Sequence, residues 1–556
     1  MENVDLLIKN ATILTMDSQD TIARSVAVTN GMITHISLDD EPDVSEMNLS
    51  SDTKVLDLKN KTLIPGFIDT HNHIIDYAQN QTRIDCSTPP NRSIQDILDR
   101  VAEKAKENTS DDWIIGYGYD DSLLSDHRHP TASDLDKVAP DHPVFISHIS
   151  GHIVVVNSVV LEMIDTKKRQ TIDRSLIGES SDGEPNGVFY EAGADFIRRL
   201  VPKPDAEELA ELIIEASKQY MSQGITTSTD AAVGSYLGSV EIDAHLKAAT
   251  NGKNPLRHRL LMMHDCFQED GDYAGYTAEM VDNDLKEKSN GMVRLDGAKF
   301  FQDGSIQGYT GALREPYHRK PDVYGELVHD QEMFNDDIYD LHKRGFRIAV
   351  HGNGDRAIGS ILEAFRHVLE KSPKQNHRHR IEHVQTATPQ DLIDMEELNV
   401  AGSFFINHVY YWGDRHKQLF LGPERAERIN PIADAIHHEL LFTLHSDCPI
   451  TPISPLFSVW AAVNRVTKDG DVLGAAQRCD VMTALKSMTI YGAQLNFEEE
   501  RTGSIEIGKQ ADFAVLDRDP RTVDPMTIKD IKVLETIIAG ESVYIASEAE
   551  NTIGNK

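Results

Sequence analysis

The chain has 556 residues, of which 40% are apolar and 26% are charged. Length alone allows three or four domains of roughly 150 residues, although one α/β barrel with insertions can absorb about 400. Its formal net charge of −35 repels phosphate backbones and anionic lipid, so we expect no nucleic-acid and no membrane partner. The four cysteines form no CxxC pair and no signal peptide is visible, which favours a cytoplasmic protein.

Both ends of the chain predict short strands. Near the N-terminus, residues 25–29 and 32–37 flank Asn30-Gly31, a dipeptide typical of a hairpin turn. Near the C-terminus, residues 503–517 predict a strand, a turn and a second strand, and residues 533–545 predict two more. We therefore expect residues 1–64 and 496–556 to form one small composite β-sandwich domain.

Between these ends, at residues 65–495, β-like segments alternate with amphipathic helical segments. Eight such alternations predict an α/β fold, the closed parallel (β/α)8 or TIM barrel. An insertion at about residues 80–220 is far longer than an ordinary loop, and we expect it to form a subdomain over the barrel mouth. The predicted barrel strands are 62–71, 224–230, 257–266, 297–303, 346–351, 379–383, 400–406 and 440–447.

Histidine pairs of the form His-x-His are the first candidate metal ligands. Three occur, where chance predicts about one: His71/His73, His127/His129 and His377/His379. Only the first pair ends an apolar strand, where residues two apart point to the same face. The second pair lies in a polar loop, and the third is flanked by arginines, for which a surface role is sufficient. We therefore predict that the first pair binds metal.

Further candidate ligands also end barrel strands. His351, His383 and Asp447 each follow an apolar run, and catalytic groups of barrels collect at the carboxyl ends of strands. Imidazole and carboxylate together suit zinc and similar divalent metals. Lys299 lies inside an apolar strand, where an unpaired ammonium is costly. It has three possible roles: pairing with a carboxylate, binding substrate, or forming a carbamate with carbon dioxide that bridges two cations.

Several separated segments resemble the amidohydrolase superfamily, in the same order along nearly the whole chain. Pro65-Gly-Phe-Ile-Asp-Thr-His-Asn-His resembles its first-strand signature, and residues 503–517 resemble its returning sandwich segment. The chain is most similar to the amidohydrolase-3 branch, which includes N-substituted formamide deformylases. The segments that carry this closer resemblance are 135–144, 151–158, 299–305, 351–357 and 446–450.

The resemblance implies a site for one or two divalent ions per chain, with zinc as the expected metal. It assigns His71, His73 and Asp447 to the more buried ion, His351 and His383 to the second, and carboxylated Lys299 as the bridge. In the implied mechanism, water activated by the metal attacks a carbonyl carbon. Asp447 then acts as general base and afterwards as general acid towards the leaving nitrogen.

Residues that contact the substrate are predicted less directly: His152, Asn157, Gln302, Asp303 and Trp412. The first two lie in the predicted insertion and alternatively form a buried polar pair that holds it together. Asp303 is also a candidate hydrogen-bond partner for a metal-bound imidazole. The aromatic run that contains Trp412 is alternatively a packing cluster.

These observations predict a metal-dependent hydrolase that cleaves a non-peptide C–N bond in a small-molecule amide, formamide or cyclic amide. One alternative is hydrolysis of an ester or lactone C–O bond at the same site, because barrel chemistry changes with the loops rather than the fold. The other is a non-catalytic relative that binds a partner. A homodimer is the commonest closed assembly and is our expectation for the oligomer.

Overall fold

The computed structural model describes residues 3–39, 47–109, 112–149, 153–164, 173–181, 183–547 and 554–555. The chain divides into two compact units. The first unit consists of Met1–Ile75 and Ala206–Lys556, and the second is Asp76–Asp205. Among the described helices, none has the length and apolar character needed to cross a bilayer.

Eight parallel strands in chain order form the central sheet of the first unit. The first and eighth strands approach each other where the hydroxyls of Thr70 and Thr443 lie 2.8 Å apart, so the sheet is nearly closed. The predicted TIM barrel is therefore confirmed. Its strands are Phe67–Asn72, Ile225–Val233, Arg257–Met263, Val293–Phe301, Ile348–Gly352, Arg380–His383, Ala401–Phe404 and Phe442–Leu444.

The first predicted strand is divided between two sheets. Thr62–Pro65 belongs to the sandwich, and the barrel strand begins only at Phe67. The break falls at Gly66, where a Cβ atom would lie 2.2 Å from a methyl group of Thr226. Glycine therefore allows the chain to pass close to the second barrel strand as it moves from one sheet to the other.

Helices surround the barrel strands and pack through apolar stripes. In Asp355–Lys371, Ile358, Ile361, Leu362 and Phe365 are buried, which is the three-and-four spacing of one helix face. The main helices of this unit are Ala206–Ser222, Ser239–Thr250, Ala278–Lys288, Gln331–Lys343, Asp355–Lys371, Pro389–Leu398, His408–Arg415, Ile432–His437, Pro455–Asn464, Val481–Ser487 and Ile490–Leu495.

Two further sheets of the first unit each combine strands from both ends of the chain. The five-stranded sheet has the order Gly554–Asn555, Lys54–Asp57, Leu6–Lys9, Ser25–Thr29 and Met32–Ser37. The six-stranded sheet has the order Glu541–Ile545, Val533–Ile538, Phe513–Leu516, Thr62–Pro65, Thr12–Leu14 and Ile22–Ala23. Their shared core includes Ile8, Leu63 and Phe513. Within residues 503–517 only Phe513–Leu516 is a strand, so the predicted first arm of that hairpin is wrong.

The second unit is built around its own six-stranded sheet. In spatial order the strands are Ile177–Glu179, Pro185–Tyr190, Ile153–Val156, Val144–His148, Ile114–Tyr119 and Ile84–Asp85. Its helices include Ile94–Glu107, Ala132–Leu135, Ser158–Met163 and Ala192–Arg198. The predicted position of this unit over the barrel mouth stays a prediction.

Candidate metal centre

The loop after the eighth barrel strand meets the end of the first strand. The Asp447 amide donates to the His71 carbonyl at 3.3 Å, and the His73 amide donates to the Cys448 carbonyl at 2.7 Å. These backbone bonds bring the Asp447 carboxylate beside both imidazoles. Its Oδ1 lies 3.3 Å from His71 Nε2 and 3.2 Å from His73 Nε2. Closure of the barrel therefore assembles three of the predicted ligands.

The sixth barrel strand supplies a further candidate ligand at its end. Arg380 and Glu382 lie two residues apart and so share one face of the strand. Alternation would place His383 on the opposite face, but His383 and Val384 have positive φ angles of 72° and 49°. This left-handed conformation costs roughly 1–2 kcal/mol per residue. The strand ends there, and the His383 ring lies 4.9 Å from the His71 ring, centroid to centroid.

His351 and His383 present facing ring nitrogens. His383 Nε2 lies 3.0 Å from His351 Nδ1, while His351 Nε2 lies 3.1 Å from the Gly304 carbonyl oxygen. The Asn353 amide nitrogen also lies 3.0 Å from His351 Nε2. When His351 donates through Nε2 to the Gly304 carbonyl, its Nδ1 is left as a bare lone pair. Burial, reinforced by the charge of Lys299, lowers the pKa of His351 to about 3. Both rings are thus held neutral, the form in which histidine binds metal.

Lys299 lies on the fourth barrel strand and is fully buried. Its Nζ makes no hydrogen bond to any part of the chain that the structure describes, and it lies 4.9 Å from the centroid of the Phe301 ring. Burial lowers the pKa of Lys299 to about 8, against the opposing effects of Glu382 and Asp447. An amine held this way is a polar group without a protein partner, which is unusual in a folded core.

Glu382 orients the His71 ring. Its Oε2 lies 2.7 Å from His71 Nδ1, and its Oε1 accepts from Arg380 at 2.5 Å. Burial favours the neutral acid, but the Arg380 and His71 contacts hold the pKa of Glu382 well below its usual range. Since an ionised carboxylate only accepts, His71 donates through Nδ1 and presents a bare Nε2 towards Asp447. This is the arrangement that metal-bound histidines usually have.

The residues present fit a divalent cation. Two overlapping groups each place their ligand atoms within 4.8 Å of one another: His71, His73 and Asp447, and His71, His383 and His445. Asp447 Oδ1 lies 3.3 and 3.2 Å from the Nε2 atoms of His71 and His73, and these separations approach the spacing of about 3.4 Å expected for two ligands bound about 2.1 Å from one tetrahedral ion. Burial opposes ionisation of Asp447, yet the close His71 and His73 imidazoles hold its pKa well below the usual range.

Two residues of this site were missed at the sequence level, Glu382 and His445. Both sit two residues or fewer from a predicted ligand, on a strand or at its end. The signal for Glu382 is its period-two spacing from Arg380, which places two charged residues on one face of a barrel strand. His445 has only the weaker signal of a second histidine beside Asp447.

Gln302 and Asp303 hold loops together rather than projecting free polar groups. Gln302 Nε2 donates to Ser360 Oγ at 2.7 Å, and its Oε1 accepts from the His329 amide at 3.1 Å. Both ends of this buried amide are thus engaged within the protein. This favours a structural role for Gln302 over the predicted contact with substrate.

Asp303 connects the loops after the fourth and fifth strands through hydrogen bonds. Its carboxylate accepts from the amides of Ala312, Asn353 and Gly354 at 2.9, 3.0 and 2.7 Å. Burial raises the pKa of Asp303 to about 7, although these three bonds lower it. Its Oδ1 lies 3.6 Å from His351 Nε2, beyond hydrogen-bond distance. The geometry favours a loop-positioning role over direct contact with substrate or with the imidazole.

The remaining predicted substrate residues are His152, Asn157 and Trp412. His152 lies outside the described residues. Asn157 is buried in the second unit, where its amide donates to the Ala139 and His142 carbonyls at 3.0 and 2.8 Å, which favours the structural alternative. Trp412 is half-buried on the helix His408–Arg415, and its ring packs against Phe405.

The predicted surface role of His377 and His379 is wrong, because both side chains are buried. His379 Nε2 donates to His342 Nδ1 at 2.9 Å, and His379 Nδ1 accepts from the Ile348 amide at 3.0 Å. His342 Nε2 donates to the Ser372 carbonyl at 2.8 Å. His377 accepts from the His379 amide through Nδ1 and donates to a carbonyl through Nε2. We call His342, His377 and His379 the lower histidine cluster, since they lie where the fifth and sixth strands begin.

Comparison with known proteins agrees with this fold. The model of the amidohydrolase family matches residues 54–544. The chain therefore belongs to the amidohydrolase family, metal-dependent hydrolases that act on C–N bonds.

Two curated relatives and one solved structure illustrate the likeness. The protein YtcJ of Bacillus subtilis is 30% identical over 508 residues, covering 89% of this chain and 91% of its own. An N-substituted formamide deformylase of Arthrobacter pascens is 27% identical over 551 residues, covering 97% and 98%. The structure of an uncharacterized metal-dependent hydrolase from Pyrococcus furiosus, 24% identical, covers 93% of this chain and 100% of its own with a TM-score of 0.72. This last likeness establishes the fold.

Proposed function

We propose that the chain hydrolyses the C–N bond of a small N-substituted formamide or related non-peptide amide. The observation that carries the proposal is the convergence of His71, His73, His383 and Asp447 at the carboxyl ends of barrel strands. Similarity to the formamide deformylase over nearly the whole chain supports the choice of substrate class.

A divalent cation, with zinc as the expected one, supplies a Lewis acid that activates water and polarises the carbonyl. His71, His73, His351, His383 and Asp447 would hold it. Asp447 is kept ionised by its neighbours, so its carboxylate is ready to accept a proton from the attacking water. It then gives that proton to the leaving nitrogen, because an amine leaves more readily than an amide anion.

Lys299 is the proposed bridge between two cations. Its neutral amine would attack carbon dioxide, forming an N–C bond as one C=O π bond opens onto oxygen. The proton lost from nitrogen would pass to water, which leaves a carbamate anion. The support is that Lys299 is fully buried and lacks a hydrogen-bond partner among the described residues. Protein exchanged with 13C-labelled bicarbonate is expected to show a carbamate carbon signal by NMR that is absent in Lys299→Met. Equal spectra for the two proteins would leave the bridge without support.

The decisive assay measures amine and formate release from a series of N-substituted formamides. We expect turnover that a chelator abolishes and that added zinc restores. A matched ester and lactone series tests the C–O alternative, which would be favoured if those substrates were turned over faster. Metal content below about 0.2 equivalents in protein prepared without chelator would favour the non-catalytic alternative, since metal binding contributes to folding.

A further inference from the structure

His445 is buried beside the candidate metal centre, just after the eighth barrel strand. Its Nε2 lies 3.1 Å from His383 Nδ1, and its Nδ1 lies 2.8 Å from Ser403 Oγ. The ring also stacks on His71 and Phe405, with centroid separations of 4.6 and 5.4 Å. Both of its nitrogens are therefore in polar contact, and its faces are fixed by neighbouring rings.

The proton on His383 determines what His445 does. When His351 donates through Nε2 to the Gly304 carbonyl, its Nδ1 presents a lone pair. A cation bound by both rings also needs a lone pair on His383 Nε2, which faces His351 Nδ1. The His383 proton must then be on Nδ1. His445 Nε2 is the acceptor at that position, and His445 in turn donates through Nδ1 to Ser403 Oγ.

We propose that His445 is a positioning residue: it accepts the Nδ1 proton of His383 and so aims the bare His383 Nε2 at a divalent cation. The inference rests on the proposed function, since it concerns the same metal centre. Glu382 does the equivalent for His71, but as a carboxylate it only accepts. His445 and Ser403 both donate and accept, so their chain of hydrogen bonds also runs in reverse.

In the reverse direction, the facing nitrogens of His445, His383 and His351 are all hydrogen-bonded without an added ion. Ser403 then donates to His445 Nδ1, His445 Nε2 donates to His383 Nδ1, and His383 Nε2 donates to His351 Nδ1 at 3.0 Å. Each ring keeps one proton in both directions, so the switch moves protons without changing their number. The His445–Ser403 pair thereby gives His383 two complete bonding arrangements, of which one leaves its Nε2 available for metal.

Competitive titration measures this effect directly. Protein stripped by a chelator is titrated with zinc against a competing indicator, for the wild type, His445→Phe and His445→Gln. Phenylalanine keeps the ring and its stacking but removes the acceptor, so we expect zinc affinity to fall about 10- to 100-fold. Glutamine restores an acceptor oxygen and is expected to recover most of that loss. His416→Phe, which alters another buried imidazole of the same unit, is the control and should leave affinity unchanged.

Three results separate the possibilities. Unchanged zinc affinity in His445→Phe overturns the inference. Loss of a whole metal equivalent in both variants, with an altered Co²⁺ absorption spectrum, also overturns it by making His445 a direct ligand. A wild type that takes up no divalent ion refutes the proposed function instead. Should His445→Phe fail to fold, Ser403→Ala tests the far end of the relay, and unchanged affinity there overturns the inference.

Discussion

Two clusters of buried histidines occupy opposite ends of the same barrel. In the lower histidine cluster, every ring nitrogen of His342, His377 and His379 meets one protein donor or acceptor. At the upper end, the nitrogens of His71, His73 and His383 converge on one another and on a carboxylate. His71 and His383 are buried like the lower rings, whereas the His73 side chain is 21% exposed. In the upper cluster, lone pairs are directed at a shared point.

The difference shows that the direction of ring nitrogens distinguishes a metal site from structural histidines. Both clusters contain a His-x-His pair, and burial holds the pKa of His383 in the upper cluster and of His379 in the lower one well below the usual range. In the lower cluster, protons and lone pairs are matched one to one, so an added cation would displace a bond already made. In the upper one, Glu382 accepts a hydrogen bond from His71 Nδ1 and so leaves His71 Nε2 with a lone pair. The following variants test this distinction, from the largest expected effect to the smallest.

Asp447→Asn is expected to lower turnover of an N-substituted formamide by about 10²- to 10⁴-fold, because it removes the general base and acid. Steady-state kinetics, together with metal analysis, measure the effect. Glu396→Gln, at an exposed ion pair with His438, is the control and should retain activity. Near wild-type turnover in Asp447→Asn would remove this residue from the mechanism.

Glu382→Gln is expected to weaken zinc affinity by about 10- to 100-fold, because the neutral amide no longer enforces one tautomer of His71. Glu498→Gln is a matched control, since Glu498 is also buried and paired with an arginine, Arg259, at 2.6 Å. It should reduce stability without altering zinc affinity. Equal affinities in the wild type and Glu382→Gln would show that Glu382 does not orient the ligand.

His379→Asn is expected to retain full metal content while reducing the free energy of unfolding by about 1–3 kcal/mol. The reason is that the change disturbs bonds to His342 and Ile348 and leaves buried groups unsatisfied. Metal analysis and denaturant unfolding of the metal-loaded protein measure the two quantities. Loss of bound metal in this variant would contradict the assignment of the lower cluster as structural.

Acid is expected to destabilise the protein through the same cluster. Burial lowers the pKa of His342 and His377 and holds that of His379 well below its usual range. The unfolded chain takes up protons below about pH 6.5 while the folded rings stay neutral, so stability falls as pH drops through that value. Each ring contributes up to about 1.4 kcal/mol per pH unit.

Thermal unfolding of the wild type and His379→Asn between pH 7.5 and 5.5 measures this dependence. The variant lacks one of the three rings, so its midpoint should change less steeply with pH. Identical slopes would show that His379 does not contribute to acid sensitivity.

Local patterns were sufficient to predict the barrel and several residues that converge in it. Strand and helix periods are local, and His71, His351 and Asp447 each follow an apolar run that ends at the same edge. The partners of these residues depend instead on which strands become neighbours. The contact of Glu382 with His71 joins the sixth strand to the first, and nothing near Glu382 in the chain specifies it.

The lower cluster was mistaken for surface for a related reason. Arg378 and Arg380 made residues 377–380 look exposed, yet Arg380 is buried against Asp296 at 2.6 Å. Arg378 pairs with Glu499. A charged residue can be buried when it pairs with an opposite charge. Here each partner is far away in the sequence, so the pairing is evident only from the structure.

The seam between the first and eighth barrel strands joins residues from the two ends of the catalytic unit. His71 and His73 are synthesised early, whereas Asp447 emerges only after all eight strands have been made. A cation shared among them would add a further link across this junction, beside the Thr70–Thr443 hydroxyl contact and the Asp447–His71 backbone hydrogen bond. Metal binding would then require a complete barrel, because a chain truncated before its last strand would lack Asp447.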